Sequence, residues 1–499
     1  MTDETPPAGR PAASRRELLL GSGALSAAAA APAIGRPTAG RRPNIVFMLV
    51  DNLGFGDLSC YAGGAIRGVT TPRIDRFAAE GVRLTNFMVE PACTPSRSAF
   101  MTGRMPIRSG TSAVVNDGGP DGLTPWEYTL AELLSDAGYA TALYGKWHLG
   151  GVAGRLPTDQ GFDEWYGIPR STDETLEALQ PGYDASVYTP EPVLEGRKGE
   201  PCRKVRDYDY AFRPYIDREI TDRAVNYIGR HAGGSQPFFL YVPFTLPHDP
   251  PLAHPEFAKP GRSQYQNVLA EIDANAGRVL DAVKAAGIGD DTIVVFASDN
   301  GPQTLYGRGI DYGAQADPGP FRGEFPSAWE GAIRTAAIIR WPGRAAAGRV
   351  TNEMVSILDF YRTFARAAGA DHRVPTDRPI DSIDQTEFLF GAAPSRREHV
   401  MIFHGDELLA VKWRNFKLHY AIRESARGPV VTPGEGVVNG IRQRLNNPWL
   451  FDIENDPKEL WNINTANVWV FRPIMRIISE YKKTVAQAPN ISPGSAGPA

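Results

Sequence analysis

NIVFMLVDNLG, residues 44–54, is an unbroken apolar run with β-branched residues that halts at Asp51-Asn52. A strand wet on one face alternates apolar and polar residues. A run without alternation is covered on both faces, as in a parallel sheet. TIVVFASDNG, residues 292–301, repeats the pattern and halts at Asp299-Asn300. Helical patterns at Pro72–Glu80, Glu127–Ala137 and Tyr265–Ala286, with strand patterns at Ala140–Tyr144, Pro237–Val242 and Ala336–Arg340, alternate around these two runs. This predicts an α/β fold: a large domain with a mostly parallel central sheet flanked by helices. From about Arg396 the texture changes. His399–Phe403, Leu408–Trp413 and Phe416–Tyr420 read as short antiparallel strands, and Val468–Lys483 as an amphipathic helix. A smaller C-terminal α+β domain with a short antiparallel sheet is expected. The divisions are 1–41, 42–395, 396–485 and a disordered tail at 486–499.

Composition narrows the partners. The chain has 499 residues, 42% hydrophobic and 22% charged, with a formal net charge of -4, so no bulk attraction draws it to nucleic acid or an anionic membrane. Its cysteines are Cys60, Cys93 and Cys202, too few for a disulfide framework and without zinc spacing. Ser14-Arg15-Arg16-Glu17-Leu18-Leu19-Leu20, running into an Ala-rich stretch that ends near Ala31-Pro32-Ala33, resembles a twin-arginine export signal. It implies the twin-arginine export machinery as a partner and a periplasmic or secreted location. Its apolar run is short and broken by Gly and Ser, so no stable membrane association is expected.

Ligands of open α/β sheets bind at the carboxyl ends of strands. Two such ends carry Asp51-Asn52 and Asp299-Asn300, four oxygen-bearing side chains of the kind that select Ca²⁺ or Mg²⁺ over zinc or copper, although each pair alone also reads as a turn former. A third feature is CTPSRSAFMTGR, residues 93–104. Pro95 fits the first turn of a helix, which places Cys93 or Thr94 at its cap. Residue 93 then meets the positive end of the helix dipole, with Arg97 one turn along; a helix N-terminus with an arginine is an anion site, and the alternative is a buried thiol at a helix start.

These residues carry a resemblance. CTPSRSAFMTGR is similar to the signature of the sulfatase family, C-x-P-S-R-x-x-x-L-T-G-R, with Met101 in the leucine position. Asn44–Gly56, Tyr144–Gly150 (YGKWHLG), Gln160–Asp163, Pro247–Pro250, Ser298–Gly301, Trp329–Gly331, Trp449–Ile453 and Asp456–Glu459 resemble further family landmarks in order. The chain is thereby identified as a formylglycine-dependent, arylsulfatase-like member of the alkaline phosphatase superfamily. Residues 42–395 are then its catalytic domain.

The resemblance implies that a formylglycine-generating enzyme converts Cys93 to Cα-formylglycine. One hydroxyl of its hydrate would attack the sulfur of an aryl, alkyl or carbohydrate sulfate ester, and the other would eliminate sulfate. It implies Asp51, Asn52, Asp299 and Asn300 as ligands of a Ca²⁺ shared with residue 93. Arg97 and Lys146 would neutralise charge, His148 would act as base, and His248 would serve the leaving oxygen. Lys146, His248, Ser171 and Arg322 are the substrate-binding candidates.

Two departures stand out. Many relatives have Asp-Asp where this chain has Asp51-Asn52, and many carry a sulfate-binding lysine where this chain has Phe325. Either Arg322, Arg308 or another group then supplies the missing charge, or the pocket accepts a different leaving group. The departures keep open a phosphonate monoester or phosphodiester hydrolase and a non-catalytic binder of sulfated glycans. Thr172–Asp209, Leu305–Pro320 and Arg423–Asn446 are the segments expected to shape the outer pocket. His399, His404 and His419 receive no role, and His254 reads as a surface or satisfied core residue.

Overall fold

Ile45, Phe47 and Leu49 enter one hydrophobic core while Val46, Met48 and Val50 enter another, so the first strand is buried on both faces as its unalternating sequence requires. The computed structural model describes residues 42–61, 63, 68–114, 122–303, 316–424, 430–432, 436–438 and 441–490, and side chains at 424–441 are not described. The twin-arginine segment, Arg308, most of Leu305–Pro320 and residues 491–499 lie outside them.

The large sheet has eleven strands. They are β1 (Asn44–Asp51), β2 (Val82–Met88), β3 (Ala140–Lys146), β4 (Glu164–Ile168), β5 (Val193–Arg197), β6 (Arg203–Arg206), β7 (Phe238–Pro247), β8 (Thr292–Ser298), β9 (Arg334–Arg340), β10 (Arg349–Thr351) and β11 (Val355–Ser356). Their order is β10-β2-β9-β8-β1-β7-β3-β4-β5-β6, with β11 also on β2. The central run β8-β1-β7-β3-β4 is parallel, and antiparallel pairs begin at β9 on one side and β5 on the other.

Helices cover both faces. Among α1 (Pro72–Glu80), α2 (Cys93–Thr102), α3 (Pro106–Ser109), α4 (Leu130–Asp136), α5 (Ile216–His231), α6 (Gln264–Ala285), α7 (Glu330–Ile333), α8 (Asp359–Ala367), α9 (Thr386–Leu389) and α10 (Phe471–Gln487), helices α1, α5 and α6 pack on one side. Helices α2, α4 and α8 pack on the other. The second sheet, β12 (His399–His404), β13 (Glu407–Trp413), β14 (Phe416–Glu424) and β17 (Ile441–Asp452), is antiparallel, and β15 (Val430–Thr432) pairs with β16 (Gly436–Val438). Met401, Val411, Leu418, Leu450 and Ile474 extend the α2-side core into this unit.

Several expected boundaries move. The helix expected from Glu127 starts at Leu130, because Thr129 and Glu132 close a capping box: Glu132 N–H donates to Thr129 Oγ1 (3.0 Å) and Thr129 N–H to Glu132 Oε2 (2.7 Å). β7 continues to Pro247, past the expected Val242. The last helix runs to Gln487, into the stretch expected as tail. Among the described residues, no helix is long and apolar enough to cross a membrane.

Candidate active site

The parallel register brings the acidic pairs together. Val50 of β1 lies opposite Ser298 of β8, so Asp51-Asn52 and Asp299-Asn300 leave adjacent strands side by side. Lys146 ends β3, with His148 two residues on, and His248 follows the end of β7. Asn52 (φ 65°) and His148 (φ 57°) occupy the left-handed region, where non-glycine residues are uncommon and cluster at functional sites. Gly145, just before Lys146, has no substitute: a Cβ there would lie 1.9 Å from the Pro243 carbonyl oxygen of the neighbouring strand.

Helix α2 is buried along its whole length. Ala92, in extended conformation, is its cap, and Ser96 N–H already donates to the Ala92 carbonyl (3.0 Å). Cys93 is therefore the first helical residue, which corrects the expectation that Cys93 or Thr94 would cap the helix. The signature divides by direction. Thr94 Oγ1 donates to the His148 carbonyl (3.0 Å), and Ser96 Oγ pairs with the backbone of Glu90. Phe100 stacks on Phe47 at 4.1 Å, and Gly103 ends the helix at φ 65° against Tyr361. Cys93 and Arg97 face the acidic pairs.

Cys93 Sγ lies 3.3 Å from Asp51 Oδ1 and 3.5 Å from Asn52 Oδ1. Arg97 directs Nε (3.1 Å) and Nη2 (2.8 Å) to Asp299 Oδ2, and its Nη2 is 3.4 Å from Asp51 Oδ2. Lys146 Nζ bridges Asp51 Oδ2 (2.7 Å) and Ser171 Oγ (3.0 Å). Ser171 Oγ is 3.4 Å from His248 Nε2, while His248 Nδ1 lies 2.9 Å from Thr172 Oγ1 and 3.1 Å from the Asp249 carbonyl. Donor atoms of Asp51, Cys93 and His248 lie within 4.8 Å of one another.

Apart from the half-buried Ser171, the side chains just described are buried, and their protonation follows from that. Burial alone would raise Asp51, but Lys146, His248 and Arg97 hold its carboxyl well below the ordinary range. Burial and the neighbouring Asp51 push Asp299 up to about 7. Burial, with Asp51 beside it, raises the Cys93 thiol far above its usual value, so an unmodified Cys93 is a protonated, poor nucleophile. Burial, Lys146 and Arg97 keep His148 neutral, and burial and Lys146 lower His248.

The oxygen set suits a hard divalent cation. Two carboxylates stand together in a buried site, and one of them is pushed toward protonation by burial and then by the other, a conflict that a cation relieves. Asn300 Nδ2 donates to Asn52 Oδ1 (2.6 Å) and to the Gly301 carbonyl (2.9 Å), while its buried Oδ1 has no hydrogen-bond partner. A buried amide oxygen left over among carboxylates is the donor that Ca²⁺ coordination uses.

A cavity of about 310 Å³ opens over the site. Cys93, His148, Ser171 and His248 form its inner wall, and Asp173, Gln303, Phe325, Pro326, His404 and Arg423 are among the residues that line the remainder. Phe325 thus does face the cavity. Arg322 does not: its guanidinium lies 3.8 Å over the Trp329 ring and donates to the Glu459 carbonyl (3.3 Å), so it is removed from the substrate-binding candidates. His254 is a surface cap, its Nδ1 accepting from Glu256 N–H (3.3 Å). Sequence reasoning missed Thr172, which orients His248; Gln303, whose Oε1 accepts from Asn52 Nδ2 (2.6 Å); and His404 and Arg423. Thr172 adjoins Ser171, and Arg423 opens a segment flagged for the outer pocket. Neither Gln303 nor His404 carries a local signal.

The model of the family described as Sulfatase matches residues 43–370, and that of the C-terminal region of aryl-sulfatase matches 395–495. The chain belongs to the sulfatase family. It is a sulfuric ester hydrolase, an enzyme rather than a silent binder. The mouse steryl-sulfatase is 35% identical to it over 461 residues, covering 78% of this chain and 71% of that protein. The dog N-acetylgalactosamine-6-sulfatase is 30% identical over 491 residues, covering 91% and 88%. The crystal structure of the PsFucS1 sulfatase from Pseudoalteromonas sp. superposes with a TM-score of 0.82 at 32% identity, covering 91% of this chain and 92% of that one. Membership implies a formylglycine modification and a divalent metal.

Proposed function

We propose that this sulfatase hydrolyses an aryl, alkyl or carbohydrate sulfate ester with formylglycine made from Cys93 and with Ca²⁺ as resident metal. The observation that carries the reading is the position of Cys93: first residue of a buried helix, one turn from Arg97, with Sγ 3.3 Å and 3.5 Å from the oxygens of Asp51 and Asn52. Sγ marks where an oxygen of the modified side chain would stand, and the hydrated aldehyde would supply the nucleophilic oxygen that a protonated thiol does not. Asp51, Asn52, Asp299 and Asn300 would hold Ca²⁺, which supplies Lewis-acid polarisation and charge neutralisation at a sulfate oxygen.

The remaining groups are the chain's own. Arg97 and Lys146 keep two fixed cations against the reacting centre in a water-poor site, where preorganised charge acts most strongly. His148 is neutral and therefore able to accept the proton released when sulfate departs. His248 has Nδ1 held by Thr172 and the Asp249 carbonyl, which leaves Nε2 beside Ser171 Oγ to serve the leaving oxygen. It is lowered in the free enzyme, and the negative charge of a bound sulfate ester favours its protonation at Nε2.

Residues 42–395 carry this chemistry, and 396–485 complete the outer cavity through His404 and Arg423. The Arg15-Arg16 segment supports export of the folded chain to the periplasm or medium after a formylglycine-generating enzyme has acted. Mass spectrometry of the peptide containing residue 93 tests the proposal together with sulfate release before and after chelation. Formylglycine and Ca²⁺-restored activity are expected. An intact thiol in fully active protein would overturn it.

A further inference from the structure

Two cavities meet at the edge of the C-terminal sheet. His404 and Arg423, on the outer wall of the catalytic cavity, also line a second cavity of about 390 Å³ whose walls include Glu407, Arg442 and Arg444. Among the described residues, Arg423 is the one lysine or arginine lining the catalytic cavity.

The sheet register makes this a concentrated positive corner. Arg423 of β14 lies directly opposite Arg442 of β17, and Arg444 lies opposite Ala421 two residues along. Like charges directly opposite across two strands destabilise a sheet. Arg442 and Arg444 (2.9 Å) both pair with Glu407, and among the described residues three guanidinium groups line this cavity against two carboxylates, Asp406 and Glu407. Two neighbours register the positive potential. Burial, then Arg423 and Arg442, push His404 down to about 3, and burial and Arg442 lower Arg423 to about 10. Across the catalytic cavity, Phe325 and Pro326 present an apolar wall suited to the C–H face of a sugar ring.

We propose that Arg423, with Arg442 opposite it, is an anion subsite beside the sulfate-cleaving centre that reads a second anionic group, sulfate or carboxylate, on a sugar substrate. The proposal rests on the sulfatase reading above and narrows its substrate to polyanionic saccharides. A guanidinium at the junction of the cavities can hold a group attached to the same or the next sugar while the scissile ester sits at Cys93. A planar fork of donors matches either oxyanion.

The test uses three matched disaccharides: one singly sulfated and otherwise neutral, one disulfated, and one singly sulfated with a uronate. For the full-length enzyme, kcat/KM for the two dianions is expected to exceed that for the monoanion by about tenfold or more, chiefly through KM. A gain for the disulfated sugar alone identifies sulfate as the second anion, and a gain for the uronate alone identifies carboxylate. Arg423→Gln is expected to abolish most of the ratio, Arg442→Gln to reduce it less, and Arg423→Lys to retain part of it. Equal kcat/KM for all three sugars in the wild type, or an unchanged ratio in a folded Arg423 variant, overturns the subsite. Calorimetric binding of the disulfated sugar to Cys93→Ala and to Cys93→Ala/Arg423→Gln separates the two readings. Binding about tenfold weaker in the double variant upholds the subsite even if the wild type releases no sulfate, which would sink the sulfatase mechanism instead. Equal binding sinks the subsite even if sulfate is released.

Discussion

The protein buries two clusters of charge, each of two carboxylates and two cations. At the carboxyl ends of the parallel strands, Asp51 and Asp299 face Arg97 and Lys146. Where the two sheets meet, Glu330 and Glu459 face Lys412 and Lys417: Lys412 Nζ is 2.6 Å from Glu330, and Lys417 Nζ is 3.3 Å from each carboxylate. His419 Nε2 adds 2.7 Å to Glu459, and Glu330 N–H donates to Glu459 Oε1 (2.7 Å). The carboxylates of both clusters come from family motifs, and sequence alone does not rank them. The difference lies in what is left over. The first presents a thiol and two imidazoles to a cavity, and beside it the buried Asn300 Oδ1 has no hydrogen-bond partner. In the second the carboxylates and lysines satisfy one another and tie the W-E-G segment to the C-terminal sheet. A motif marks a constrained place, and the thiol and imidazoles presented to a cavity are what set the first cluster apart from the second.

Substitutions at one member of each cluster should therefore separate. Cys93→Ala is expected to lower turnover on the order of 10⁶-fold while the thermal midpoint barely moves, as sulfate release and calorimetry would record. Glu330→Gln is expected to do the reverse. It leaves Lys412 and Lys417 buried beside a lost partner, which costs about 3–5 kcal/mol in denaturant unfolding, with kcat per folded molecule retained. Burial would raise Glu330, but Lys412, Lys417 and Arg334 hold it well below the ordinary carboxylate range. Its contribution, fully present above the unfolded value, should decline progressively as pH falls below about 5 and be gone only far below that. A loss of kcat without a loss of stability in Glu330→Gln would erase the distinction between the clusters.

Glu90 gives the smallest effect and the sharpest control, because it is a buried carboxyl outside both clusters. Burial and Asp381 push it up to about 8, and the nearby Arg397 is committed to Asp359. A raised acid takes up a proton on folding, so its penalty grows as pH rises from the unfolded value to about 8 and is complete above that. Glu90→Gln should match the wild type at pH 5 and melt a few degrees higher at pH 9. Identical melting at both values would mean that the charge is compensated in the fold.

What was legible in the sequence follows the same physics. Asn44–Val50 and Thr292–Ala297 announced a parallel sheet because burial on both faces removes alternation. Cys93, His148 and His248 were legible because each sits in a contiguous motif fixed by a strand end or a helix start, whereas Ser171 lies in none of these motifs. The outer wall was not. Arg423, His404 and Gln303 come from separate segments and meet only after two sheets pack, so no local spacing announces them. Arg322 misled for a related reason: its charge was visible, but the indole of Trp329 beneath it was not.

The burial of helix α2 also sets an order of events in time. Cys93 is 1% exposed, and every residue from Cys93 to Thr102 is covered by sheet, helices or loop. A modifying enzyme would meet that thiol only while the segment is still unfolded. Maturation is then a race: a mutation or temperature that speeds the closing of α2 onto β1 would yield a well-folded, stable protein with an unconverted cysteine, and the losers of that race would pass every test of structure while releasing no sulfate.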